Sequence, residues 1–101
     1  MRNIEVDKLL SERWLMLKII EWTATAWEQY VYWQTQDKKT LRKINDLIDA
    51  VVRNPFEGIG KPEPLKENLS GYWSRRIDYA NRLVYAVENS RVTIIACRYH
   101  Y

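Results

Sequence analysis

A single cysteine and a single histidine in 101 residues exclude an internal disulfide and a Cys/His zinc cage. Nothing approaches the roughly 18 apolar residues of a membrane span, and the stretch from Trp14 to Ile20 is broken by Lys18. The chain opens without the charged, apolar, small-residue order of a secretory signal, so a soluble cytoplasmic protein with no membrane partner is expected. Proline and glycine are scarce, three of each, and all six fall between Pro55 and Gly71. Proline removes backbone donors and glycine admits unusual dihedrals, so PFEGIGKPEPLKENLSG must be a long irregular connection. In a small domain a connection of that length usually serves function.

What remains is rich in rings. Hydrophobic residues make up 47% of the chain, and five Trp and seven Tyr are present, too apolar a composition for a disordered chain. The length suits one domain with one modest core. Such rings fill a small core and also make stacking platforms for bases. The net charge of +3 is uneven: residues 1–52 hold eight basic and eight acidic side chains, whereas residues 53–101 hold eight against five. Most of the second-half cations are Arg, whose flat donor fork suits phosphate, so a polyanionic partner is plausible.

Periodicity divides the chain at the connection. Lys18 to Trp22 reads as a short strand. A first helix follows, capped by Thr25 with Glu28 or one turn earlier by Thr23, with Trp27, Tyr30 and Val31 as its apolar face. Asp37 caps a second helix in which Leu41, Ile44, Leu47, Ile48 and Val51 recur at three-to-four spacing, and Asn54-Pro55 ends it. After the connection, Tyr72–Asp78, Arg82–Glu88 and Arg91–Tyr99 read as strands joined by short polar links, hence antiparallel hairpins. The expected fold is α+β, with two helices packed on one face of an antiparallel sheet in the order β-α-α-β-β-β, leaving the other face for function. Residues 1–15 fit this plan poorly and are expected to be an extension, a misplaced start or an extra helix, with the domain spanning 16–101.

Alternation along the strands sorts their side chains. Trp73 and Ile77 take the core side with Arg75 in phase, which sends Arg76 to the open face. An adjacent Arg pair is ordinarily salt-bridged or solvated. A face carrying Arg76, Arg82 and Arg98 beside His100 suits a phosphate chain. RNA phosphodiester cleavage needs a base for the 2′-hydroxyl, cations for the charge gathering on phosphorus, and an acid for the leaving 5′-oxygen; it needs no metal. Glu63, set between Pro62 and Pro64, is the candidate base. His100, whose imidazole ordinarily titrates near pH 6.5, is the candidate acid. Arg76, Arg82 and Lys66 are the candidate cations. Cys97, inside an apolar strand, reads as packing. From the residues alone, an RNA-binding domain and a nuclease both remain open.

Longer strings narrow the choice. NPFEGIGKPEPLKENLSGYWSRRI, NRLVYAV and the terminal IACRYHY, with WEQYVYWQTQDKKTLRKINDLI before them, closely resemble the YoeB-type mRNA interferase toxins of the RelE/ParE superfamily, from about Lys18 to Tyr101. The resemblance implies a RelE-like fold and a toxin that enters the ribosomal A site of the 70S particle, contacts rRNA and cleaves mRNA there. It also implies a YefM-like antitoxin and a tendency to homodimerise, with no cofactor. It matches Glu63 to the general base, Arg76 to the phosphate-stabilising cation and His100 to the general acid. Arg82 and Lys66 match basic residues at the site, and Tyr101 matches an assisting terminal tyrosine. The turn Asp78-Tyr79-Ala80-Asn81 is more neutral than the charged turn of the relatives. Two competing functions are a non-enzymatic A-site blocker and a gyrase-inhibiting ParE-like toxin; neither needs an acid–base pair.

Overall fold

The computed structural model describes residues 19–99. The order is β1 (Ile19–Trp22), α1 (Ala24–Gln36), α2 (Lys38–Arg53), β2 (Glu63–Pro64), a 3-10 turn (Glu67–Leu69), β3 (Tyr72–Arg76), β4 (Arg82–Glu88) and β5 (Arg91–Ala96). The sheet runs β1-β5-β4-β3-β2, and the two helices cover one face as expected. Four strands are antiparallel neighbours. The fifth, β1, pairs with β5 in parallel, because the two-helix crossover returns the chain to the far side of the sheet. The sheet is therefore mixed, and the Arg91–Glu21 ion pair at 2.8 Å ties its parallel edge. No helix among the described residues is long and apolar enough to cross a membrane. The extension expected over residues 1–15 lies outside the described residues.

The helices show which local signals decide. Thr23, not Thr25, is the N-cap of α1, and its hydroxyl accepts from the Ala26 amide. The buried side of α1 is Ala26 and Trp33, whereas Trp27 and Val31 of the expected apolar face are exposed and Tyr30 is half-buried. Small Ala26 lets the helix approach the sheet, and Trp33 turns inward because its indole donates to the Cys97 carbonyl at 2.8 Å. Asp37 caps α2 as expected, accepting from the amides of Lys39 and Thr40. That helix buries Ile44, Leu47, Ile48 and Val51 against Leu83, Tyr85, Val92 and Ile94.

The strands end earlier than alternation suggests. The amides of Ile77 and Asp78 both donate to Asn81 O, which closes the β3–β4 turn and stops β3 at Arg76. In β5 the register slips: Tyr85 faces Ile94 but Val84 faces Ala96, so Ile95 is an extra residue, a β-bulge. Asn89 and Ser90, both at positive φ, make the two-residue β4–β5 turn.

Candidate active site

The connection after α2 is not wholly irregular. Glu63 and Pro64 form an edge strand, with Glu63 opposite Ser74 and Pro64 opposite Trp73, and the Leu65 amide donates to Tyr72 O. Amides alternate sides along a strand, so Leu65 and Glu63 direct theirs at β3. Pro62 and Pro64 then place their missing donors on the open edge, where none is needed. The spacing P-E-P thus permits pairing and blunts the edge at once. Directly opposed residues share a face, so Glu63 lies on the same side as Ser74 and, two positions on, Arg76. Residues two apart on a strand are separated by roughly 7 Å. Both Glu63 and Arg76 are exposed, and neither side chain hydrogen-bonds to another described residue. Ser74 and Val84, which face each other between them, are buried.

Arg75 points the other way and is completely buried. Among the described residues no carboxylate meets it. Its guanidinium instead donates to three carbonyls of the connection, Asn54 O at 2.6 Å, Glu57 O at 2.9 Å and Ile59 O at 3.1 Å, and to the Tyr85 hydroxyl at 3.1 Å. Tyr85 in turn donates to Pro55 O at 2.6 Å. The expectation of a salt-bridged or solvated Arg75 is therefore corrected: strand parity put it on the core side, and backbone oxygens satisfy it there. Phe56 packs on Trp73 with ring centroids 4.8 Å apart, and Gly60 O accepts from the Arg76 amide. At Gly60 (φ +84°) a Cβ would sit 2.6 Å from a Leu47 methyl, so only glycine lets the connection pass between α2 and β3. The segment that delivers Glu63 is fastened to the strand that carries Arg76.

Arg76 and Arg82, opposite each other on β3 and β4, line one open groove of about 520 Å³ with Lys43, Lys61, Asp78 and Tyr79. Arg82 is partly committed: Nη1 donates to Asp78 O at 2.6 Å and Asn81 O at 3.1 Å, and among the described residues Nε and Nη2 meet no acceptor. Lys66 is exposed at the start of the 3-10 turn, beyond β2, and does not line this groove. Arg98 is not on the open face with Arg76. Past the bulge it stacks on α1, its guanidinium 3.5 Å from the Tyr32 ring centroid and 4.5 Å from that of Tyr99. His100 and Tyr101 lie outside the described residues. Lys43 and Lys61 were missed by sequence reasoning; Lys43 sits on a helix whose charged residues read simply as its solvated side.

Two buried groups have clear electrostatics. Burial pushes the Cys97 thiol up to about 12, so it stays protonated and acts as packing, as expected. Burial likewise raises the Tyr85 phenol, against the lowering pull of Arg75. No group of three or more His, Cys, Asp or Glu side chains among the described residues could hold a metal ion.

Comparison with known proteins follows the same residues. The family described as "YoeB-like toxin of bacterial type II toxin-antitoxin system" matches residues 22–101. Toxin YoeB of Escherichia coli (strain K12) is 58% identical over 85 residues, 84% of this chain and 100% of that protein. A YoeB/ParE toxin from Agrobacterium tumefaciens superposes with a TM-score of 0.82 at 49% identity, covering 83% of this chain and 100% of that one. From Staphylococcus aureus, a YoeB dimer (TM-score 0.79, 49% identity, 84% and 99% covered) and a YoeB-YefM complex (0.77, 48%, 83% and 99%) are also similar.

Proposed function

The chain belongs to the YoeB-like toxin family of bacterial type II toxin–antitoxin systems, and from that premise we propose that it is a ribosome-dependent endoribonuclease that cuts mRNA in the A site and so stops translation. The observation that supports this reading best is the β2–β3 pairing, which gives a carboxylate and an exposed guanidinium one face and adjacent strands. Glu63 takes the proton of a ribose 2′-hydroxyl, and the resulting oxygen attacks the adjacent phosphorus in line. Arg76 and Arg82 stabilise the charge that accumulates on the phosphoryl oxygens, with Lys66 assisting from the far end of β2. His100 donates a proton to the departing 5′-oxygen, and Tyr101 supports it at the C-terminus. The P–O5′ bond breaks as the P–O2′ bond forms, leaving a 2′,3′-cyclic phosphate and a 5′-hydroxyl, with no metal called upon.

Exposure of the groove supports a part for the ribosome in the reaction. An open concavity with few acid–base groups positions a flexible RNA poorly on its own, and an A site that already holds the codon removes that entropic cost. Because the S. aureus YoeB forms a complex with YefM and is also seen as a dimer, a YefM-like antitoxin and a homodimer are proposed for this chain, in the cytoplasm.

Primer extension on an mRNA translated in a purified system tests the proposal. New 5′ ends at ribosome-occupied codons, lost with Glu63→Gln and with His100→Gln, are expected. Stalled ribosomes on uncut mRNA, with both variants still inhibitory, would establish a non-enzymatic blocker instead.

A further inference from the structure

The groove that holds Arg76 and Arg82 continues past any single phosphate. At its far side stand Lys43 from α2 and Lys61 from the connection, and at its rim stands Tyr79, 93% exposed at the tip of the β3–β4 turn. A second, smaller depression shares Lys43, Ile77 and Asp78 with it and adds Lys39, so a run of lysines leads away from the arginines. Among the described residues Asp78 is the one acidic side chain lining either, and its charge is already engaged: Oδ1 accepts from the amides of Ala80 and Asn81, and both carboxylate oxygens accept from Asn81 Nδ2. Those bonds, with Arg82 Nη1 on the Asp78 and Asn81 carbonyls, hold the turn in one shape. Tyr79 is thus a ring fully open to solvent, carried on a fastened tip beside four cations.

Solvent-exposed tyrosine buries nothing and contributes nothing to the core, while next to a phosphate-binding track it offers a face for a base. We propose that this part of the groove is a nucleotide subsite, in which Tyr79 stacks on an RNA base next to the cleaved linkage while Lys43 and Lys61 hold the phosphates beside that base. The proposal rests on the RNA-cleaving reading, but it concerns binding by residues that take no part in proton transfer. The face of a tyrosine accepts any base, so the subsite contributes affinity and placement more than sequence preference.

Fluorescence anisotropy with a 5′-labelled, fully 2′-O-methylated RNA hexamer, which lacks the attacking hydroxyl, measures the subsite apart from cleavage. Tyr79→Ala should weaken binding roughly tenfold and Tyr79→Phe should not, since a phenyl ring keeps the stacking face. Lys43→Ala combined with Lys61→Ala should lower the slope of log K against log salt by about 1.4, the value for two lost phosphate contacts on a single strand. Tyr79 is exposed enough for its variants to fold, which thermal melting checks. Equal binding by Tyr79→Ala and wild type, or no binding by wild type, overturns the subsite. Tyr79-dependent binding without mRNA cleavage on ribosomes would overturn the nuclease and leave the subsite standing; cleavage without Tyr79-dependent binding would do the reverse.

Discussion

The helix-covered and open faces of the sheet use the same residue type for opposite ends. Arg75 and Arg76 are neighbours on β3, yet Arg75 is sealed beneath the connection and spends its donors on three backbone carbonyls and a phenol. Arg76 lies in an open groove and bonds no described side chain. A guanidinium has five donors in a fixed fork, which suits it either to gather carbonyls from a folded loop or to meet phosphate oxygens. Which it does depends on the parity of the strand. The lesson is that a cation's location in a sheet, and not its count in the composition, separates scaffold from chemistry.

Altering the open face should produce the largest effect. Glu63→Gln should slow mRNA cleavage by roughly 100-fold or more, while urea unfolding shifts by no more than about 0.5 kcal/mol, since the side chain is exposed. Altering the covered face should invert that pattern. Arg75→Ala leaves three part-buried carbonyls and the Tyr85 hydroxyl without this donor and opens a cavity where a fully buried side chain stood, and should destabilise the fold by about 3 kcal/mol or more in urea titration. Arg75→Lys keeps the charge but not the fork and should recover only part of it. A lysine variant as stable as wild type would break the comparison, because charge alone would then suffice.

Smaller changes sharpen the same contrast. Gly60→Ala should cost about 1–3 kcal/mol, through its positive φ and its contact with Leu47. Alkaline titration probes the covered side as well. Cys97 and Tyr85 ionise at higher pH in the folded chain than in the unfolded one. Their contribution is therefore complete below the unfolded values and declines as pH rises; for Cys97 the window lies between 9.0 and about 12. Chemical unfolding at stepped pH should show that decline, and a thiol reagent at neutral pH should leave native Cys97 unmodified. Asp37 gives the smallest effect, of opposite sense. Its hydrogen bonds to Thr40 hold its carboxyl below the usual value, so its stabilising share is present above that value and fades as pH falls through the folded one. Asp37→Asn should remove this acid-side dependence with little other change.

Much of this arrangement was legible in the residues. The clustering of every proline and glycine between Pro55 and Gly71 marked the connection, and the three-to-four spacing of Ile44, Leu47, Ile48 and Val51 marked the core side of α2. Alternation in YWSRRI correctly divided Arg75 from Arg76. It did not reveal how Arg75 is satisfied, because its partners are backbone carbonyls, which no side-chain pattern encodes. The strand at Glu63–Pro64 escaped notice because proline argues against strands, and only the partner β3 makes the two-residue edge worthwhile. Arg98 was assigned to the open face because Arg91–Tyr99 reads as one strand, whereas β5 ends at Ala96 and the residues beyond it no longer alternate. The face of α1 was misjudged because tryptophan and tyrosine occur all round that helix, and the short side chain of Ala26 decides which side fits.

Paired assay of Arg76→Ala and Arg75→Ala, each scored for cleavage on programmed ribosomes and for urea unfolding, tests the division of labour most directly. Arg76→Ala should unfold like wild type and lose cleavage by roughly 100-fold or more, the scale of removing a transition-state donor. Arg75→Ala should unfold early. Wild-type cleavage by a folded Arg76→Ala protein would contradict the assignment of chemistry to the open face.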